Sequence, residues 1–150
     1  LGSVSLIVGV YKRQLPFLLS GGVNVIGVAD VAAGHLLAAA RGRDGERYLL
    51  GGQNLSVPDF ARLIGDVVGV PAPTLVLPRA SVAPLAAVVG VANRLSPWQL
   101  PVTAELIRLG AEPFYFDPTK AIRELGLPQT PVRPVIQETF DWLRAQGHLH

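Results

Sequence analysis

The residues that could do chemistry here are few. The chain has three histidines, His35, His148 and His150, and no cysteine. The missing thiols exclude disulfides and cysteine metal sites. The histidines are too scattered along the sequence for a ligand cluster. His35 shares a face with Ala32, Leu36 and Ala39 at helical spacing, so a buried, hydrogen-bonded histidine is expected there. Asp30 stands just before that apolar pattern and reads as a helix N-cap. Gly51-Gly52 could cradle a phosphate through bare backbone amides. No further glycine or basic residue follows, so a sharp crossing from strand to helix is the better expectation.

Those residues must be placed by short elements. The pattern predicts a helix over 1–12, with Pro16 at or beyond its end, and a β-branched strand over Val23–Val28. A helix follows from Val31 to about Ala40, then a turn at 41–45. Arg47–Leu50 reads as a second strand, closed by Gly51-Gly52. Ser56 and Asp59 form a capping-box pattern before the face Phe60, Leu63, Ile64, Val67 and Val68, and Gly69 stops that helix. A strand over Thr74–Leu77, a long helix over 80–95, a loop over 96–101 and a helix over 103–109 come next. Phe114–Phe116 is extended. Asp117-Pro118 opens a helix that runs to Leu125, and Gly126 ends it. Pro134 begins the last helix, with Val135, Thr139, Trp142 and Leu143 on its inner face, and Gly147 ends it. Short strands alternating with helices make this an α/β chain, mostly helical.

Composition narrows the class. The 150 residues are 49% hydrophobic and 16% charged, below the ~25% charge typical of soluble domains. That shortage suggests a surface normally covered, for example by another domain. A net charge of +2 with dispersed arginines gives no nucleic-acid footprint. The apolar run Ala80–Ala92 contains Pro84 and falls short of the ~20 residues that span a membrane. Lys12 and Arg13 follow the apolar start, the reverse of a signal peptide's order. A cytoplasmic protein without a membrane partner is expected. The sequence starts at Leu1 and contains no Met, so it reads as a piece of a longer chain. Its Ala, Val, Gly and Arg usage suggests a GC-rich bacterial genome.

Three segments together resemble one family. Val25–His35 resembles the V-x-V-x-D-V-A-x-x-H segment of extended short-chain dehydrogenases/reductases. Glu46–Ser56 is similar to their G-E-R-Y-x-L-G-G-x-N-x-S segment, and Asp117–Gly126 to their D-x-x-K-A-x-x-E-L-G helix. The order and spacing match over Gly21–Gly147, and the dihydroflavonol-reductase and hopanoid-associated sugar-epimerase subgroup of the epimerase/dehydratase family is the nearest in pattern. The resemblance implies that residues 1–150 are the C-terminal, substrate-side portion of an extended Rossmann-type protein that binds NAD or NADP. Arg47–Leu50 would then join the Rossmann sheet.

In that family a Gly-rich loop binds the cofactor, and a Tyr and Lys four residues apart do the acid–base work of hydride transfer. Neither feature is present, so this chain alone is expected to bind no cofactor and to catalyse nothing. Tyr115 and Lys120 are five residues apart, with Pro118 between them, and cannot share a helix face. The resemblance places Phe17, Leu18, Asn24 and Trp98 where the family turns toward its substrate. Val23 stands where UDP-sugar enzymes place a diphosphate-binding arginine, and Arg108 lies near a second such position but out of register. An aromatic or apolar substrate is therefore expected at least as much as a UDP-sugar. The expected partners are a small-molecule substrate, the N-terminal Rossmann half and, further, a second copy in a homodimer. The competing reading is a non-catalytic remnant that binds a small ligand or a protein.

Overall fold

The computed structural model describes residues 2–95 and 103–149. Among them are seven α-helices and four short strands. In chain order these are α1 (Ser3–Tyr11), β1 (Leu18–Leu19), β2 (Gly22–Val25), α2 (Val28–Arg41), β3 (Gln53–Ser56) and α3 (Val57–Val68). β4 (Val76–Leu77), a 3-10 turn (Arg79–Ser81), α4 (Val82–Leu95), α5 (Ala104–Gly110), α6 (Thr119–Leu125) and α7 (Val132–Ala145) complete it. Contacts divide the chain into two units that exchange sequence: residues up to Gly22 with Ser56–Phe114, and Val23–Leu55 with the stretch from Tyr115 onward.

In the first unit α1 packs on α3. α3 is the most regular amphipathic helix, burying Phe60, Ala61 and Ile64. Ser56 Oγ accepts from the Asp59 N–H at 3.1 Å, and Gly69, at φ 72°, closes the helix in the left-handed conformation that glycine adopts freely. β1 runs parallel to β4, with Leu18 opposite Val76 and Leu19 opposite Leu77. Val82, Ala86, Ile107 and Ala111 form the core between α4 and α5.

In the second unit β2 pairs with β3, and α2 packs on α6. The core there is Ala121, Leu125 and Leu127, with Ile26, Leu37, Ala38, Tyr48 and Leu50 around it. α7 buries Val132, Ile136, Phe140 and Leu143 along one stripe.

Several expectations need correction. Arg47–Leu50 forms no strand. Tyr48 and Leu50 turn inward while Arg47 and Leu49 are exposed, so the alternation is there without a neighbouring ladder. α2 starts three residues early, with Gly27 at the N-cap and Asp30 inside the first turn. Its inner face is set by Gly34, where a β-carbon would lie 2.7 Å from Leu127. That close approach rotates Leu36 outward, to 73% exposed. His35 is exposed too, its Nδ1 2.8 Å from the Val31 carbonyl oxygen. α7 begins at Val132, which puts Pro134 in the first turn, where a missing N–H costs nothing. The earlier start turns Trp142 to the outside, against the ring of His148. The first strand stops at Val25, and the strand expected over 74–77 reduces to Val76–Leu77.

Candidate functional site

The side chains with chemical capacity are mostly occupied in holding the fold. Asn24, on β2, uses both ends of its amide. Its Oδ1 accepts from the Gly52 N–H at 2.9 Å, and its Nδ2 donates to the Gly52 carbonyl at 3.1 Å and to Asn54 Oδ1 at 2.7 Å. Asn54 in turn clamps the Phe116 backbone, donating to its carbonyl at 2.9 Å and accepting from its N–H at 3.1 Å. A side-chain amide thus reproduces the two-bond pattern of a strand pair. Asn24, expected to face substrate, is a structural clamp.

Lys120 is equally committed. Its ammonium donates to Glu46 and to the Arg47 carbonyl, and lies 4.6 Å from the centre of the Tyr48 ring. The Tyr48 hydroxyl donates to Glu124 Oε2 at 3.1 Å, and Arg43 grips both oxygens of Glu124 at 3.0 and 2.8 Å. Hydrogen bonding from Lys120, with the charges of Lys120 and Arg43, holds the Glu46 carboxyl below the usual range. Burial pushes the Glu124 carboxyl up, but Arg43, Tyr48 and Lys120 outweigh it, and it too lies low. The tyrosine beside the lysine is therefore Tyr48, met through its ring face, with its hydroxyl turned to a carboxylate. That arrangement carries no proton to a substrate. Tyr48, Glu46 and Glu124 belong to two segments that the sequence reading treated separately. Their opposite charges were the available signal of contact.

The glycine pair does not fit a cofactor phosphate. The Gly52 amide is taken by Asn24, and the Gly51 carbonyl accepts from Gln129 Nε2 at 3.0 Å. A β-carbon on Gly52 would lie 2.2 Å from the Val25 carbonyl oxygen, so close strand approach explains the glycine. No step of NAD(P) chemistry can be assigned to these residues.

Of the other expected substrate residues, Leu18 is 3% exposed and is core. Phe17 is half-buried in the same unit, and Trp98 lies outside the described residues. The expected aromatic lining therefore rests on Phe17 alone among the described residues. Arg108 is exposed on α5 and borders a groove of about 580 Å³ together with Ala86, Ala87, Gly90, Arg94 and Ala104. Asn93, Thr103 and Glu105 add polar atoms to its walls. Arg94 had been noticed in the sequence only as the boundary of an apolar run. A second groove, of about 630 Å³, lies at the end of α3, but its arginine, Arg62, is paired with Asp59.

No family model matches the chain. A "Putative dihydroflavonol 4-reductase" of Synechocystis sp. (strain ATCC 27184 / PCC 6803 / Kazusa) is 33% identical over 144 residues, which cover 92% of this chain and 41% of the relative. The crystal structure of gox2253 matches 100% of the chain and 46% of its own, at TM-score 0.80 and 30% identity. A nucleoside-diphosphate-sugar epimerase from Pseudomonas aeruginosa matches 97% of the chain and 43% of its own, at TM-score 0.75 and 31% identity. The chain belongs to the extended short-chain dehydrogenase/reductase family. It spans about two fifths of the length of the curated relatives it matches. Its α/β fold, mostly helical with short strands, is that of part of an extended Rossmann-type dehydrogenase/reductase. Among the described residues no helix is long and apolar enough to cross a membrane.

Proposed function

We propose that this chain is the C-terminal, substrate-side portion of an NAD(P)-dependent reductase or sugar-nucleotide epimerase/dehydratase. Hydride chemistry would be carried by residues outside it. One observation carries the reading: Lys120, Tyr48 and the Gly51-Gly52 backbone are all committed to internal bonds, while a groove with two arginines stays open. The chain supplies shape and a binding surface and leaves the acid–base and cofactor roles to a Rossmann half. The printed functions of its relatives, a dihydroflavonol reductase and a sugar-nucleotide epimerase, support the same class. Its setting would be the cytoplasm, its partners the Rossmann half and a small-molecule substrate.

The test compares the 150-residue chain with the intact protein by fluorescence titration with NADH and NADPH. Saturable binding by the intact protein and none by the chain is the expected result. Micromolar binding by the chain alone would sink the assignment of roles. Absence of binding by the intact protein would favour a non-catalytic module.

A further inference from the structure

Where this fold uses an arginine it supplies a partner. Arg41 donates to the Leu125 carbonyl at 3.2 Å, and Arg43, Arg62 and Arg79 meet carboxylates. Arg94 and Arg108 differ. Both border the groove along α4 and α5, and among the described residues neither forms a hydrogen bond or an ion pair. The wall between them is made of small residues. Ala86 is fully buried, and a β-carbon on Gly90 would sit 3.7 Å from that of Ala104, in ordinary contact. Arg94 follows Gly90 by one helical turn and Arg108 follows Ala104 by one turn, so each guanidinium springs from beside that contact. No large side chain fills the space.

Glu105 borders the same groove. Its own backbone N–H, then Thr103, hold its carboxyl below the usual range, with the Arg108 charge adding to the effect. It stays ionised near neutral pH and can only accept hydrogen bonds. The groove thus offers two cationic forks and one fixed acceptor. Guanidinium forks match planar or tetrahedral oxyanions, and a carboxylate beside them suits a hydroxyl donor.

We propose that this groove is an oxyanion subsite for a small hydroxylated phosphate or carboxylate, with Arg94 and Arg108 holding the oxyanion and Glu105 accepting from a hydroxyl. This deepens the substrate-side reading above and rests on it, because it names the chemistry of the substrate. It also replaces the purely apolar ligand expected from the sequence.

The experiment titrates the intact protein, without nicotinamide, with glycerol 3-phosphate and with glycerate, and with glycerol as the neutral control. Binding is read by NMR shift changes and calorimetry. Saturable binding of an anionic probe, weakened about tenfold by Arg94→Ala and by Arg108→Ala, is the expected result; one charge-assisted contact is lost in each. The tighter of the two probes distinguishes a phosphate source from a carboxylate source. Glu105→Gln should weaken glycerol 3-phosphate and leave inorganic phosphate unchanged. Both arginines are exposed, and unchanged far-UV circular dichroism would show that the variants fold. No saturable binding, or equal affinity in both arginine variants, overturns the subsite. NADH titration of the same sample separates the two ideas. NADH binding without anion binding overturns the subsite alone, while arginine-dependent anion binding without NADH binding supports the subsite and overturns the redox reading.

Discussion

Asp30 accepts two hydrogen bonds from Thr130, a residue 100 positions away in sequence: its Oδ2 from the Thr130 N–H at 2.7 Å and its Oδ1 from the Thr130 hydroxyl at 2.9 Å. The carboxylate is 5% exposed, the one buried charged residue among those described. It ties the first turn of α2 to the segment before α7, and it is satisfied where it would otherwise be costly to bury. Asp30→Ala should therefore destabilise the chain by about 1–3 kcal/mol, and Thr130→Val by about 1 kcal/mol. A double-mutant cycle by denaturant unfolding checks it. The two costs should fail to add, because each variant removes the same bonds. Strict additivity would show that the pair is not coupled.

Gly52 and Asn24 predict an ordering of effects. Asn24→Ala leaves the Gly52 N–H and carbonyl without their side-chain partner, a loss of roughly 1–3 kcal/mol. Gly52→Ala drives a methyl to 2.2 Å from the Val25 carbonyl oxygen, and only a backbone shift relieves that. Gly52→Ala should be the more damaging of the two, and thermal unfolding of both variants would reveal the order. A Gly52→Ala protein as stable as the parent would mean that β2 and β3 lie farther apart than described.

Acid should weaken the second unit through Glu46 and Glu124. Both carboxyls titrate below their usual range in the folded chain. The unfolded chain therefore binds protons first as pH falls, and the folded state loses stability through that region. The contribution is fully present above the ordinary glutamate value of ~4.3 and disappears as pH falls through the lower folded values. Urea unfolding across pH 6 to 3, flagged here as an approximate window of roughly that span, should show a smaller acid loss in Glu46→Gln and Glu124→Gln than in the parent. Equal slopes in parent and variants would place the acid sensitivity elsewhere. Salt should reduce the effect, because the pairs are exposed.

What was legible in the sequence was local. Ser56, Asp59 and Gly69 announce α3 at both ends, and the structure has all three in their expected places. Gly126 stops α6 in the same way, at φ 76°. What was not legible depended on distant partners. Asp30 looked like a cap because nothing nearby shows Thr130. Gly34 gave no sign that Leu127 would press against α2 and set its inner face. Arg47–Leu50 has the alternation of a strand, but pairing is a property of two chains of atoms, and the sequence shows one. Asn24 resembled a substrate contact because its clamp on Gly52 spans 28 positions. The arginine groove was half visible. Arg108 stood out through family resemblance, whereas Arg94 needed the packing of α4 on α5.

The last expectation concerns association of the isolated chain. Val28 is 83% exposed, and Leu36, Leu49, Tyr115, Phe116 and Trp142 also stand open in the second unit. Solvated monomers seldom leave so many large apolar groups uncovered, and such surfaces mark contact with another body. The relatives are more than twice as long as the matched stretch, so a covering partner within the same polypeptide is the reading proposed above. Without that cover the chain should self-associate at micromolar to millimolar concentration. Sedimentation velocity over a dilution series should show the weight-average mass rising with concentration. Leu36→Glu and Leu49→Glu place charges on exposed positions, and should reduce association while the far-UV spectrum stays unchanged. The intact protein should show no comparable dependence on those two residues, since they would be covered there. A chain that stays monomeric and melts cooperatively at high concentration would show that these side chains are tolerated in water, and the case for a covering Rossmann half would lose its structural support.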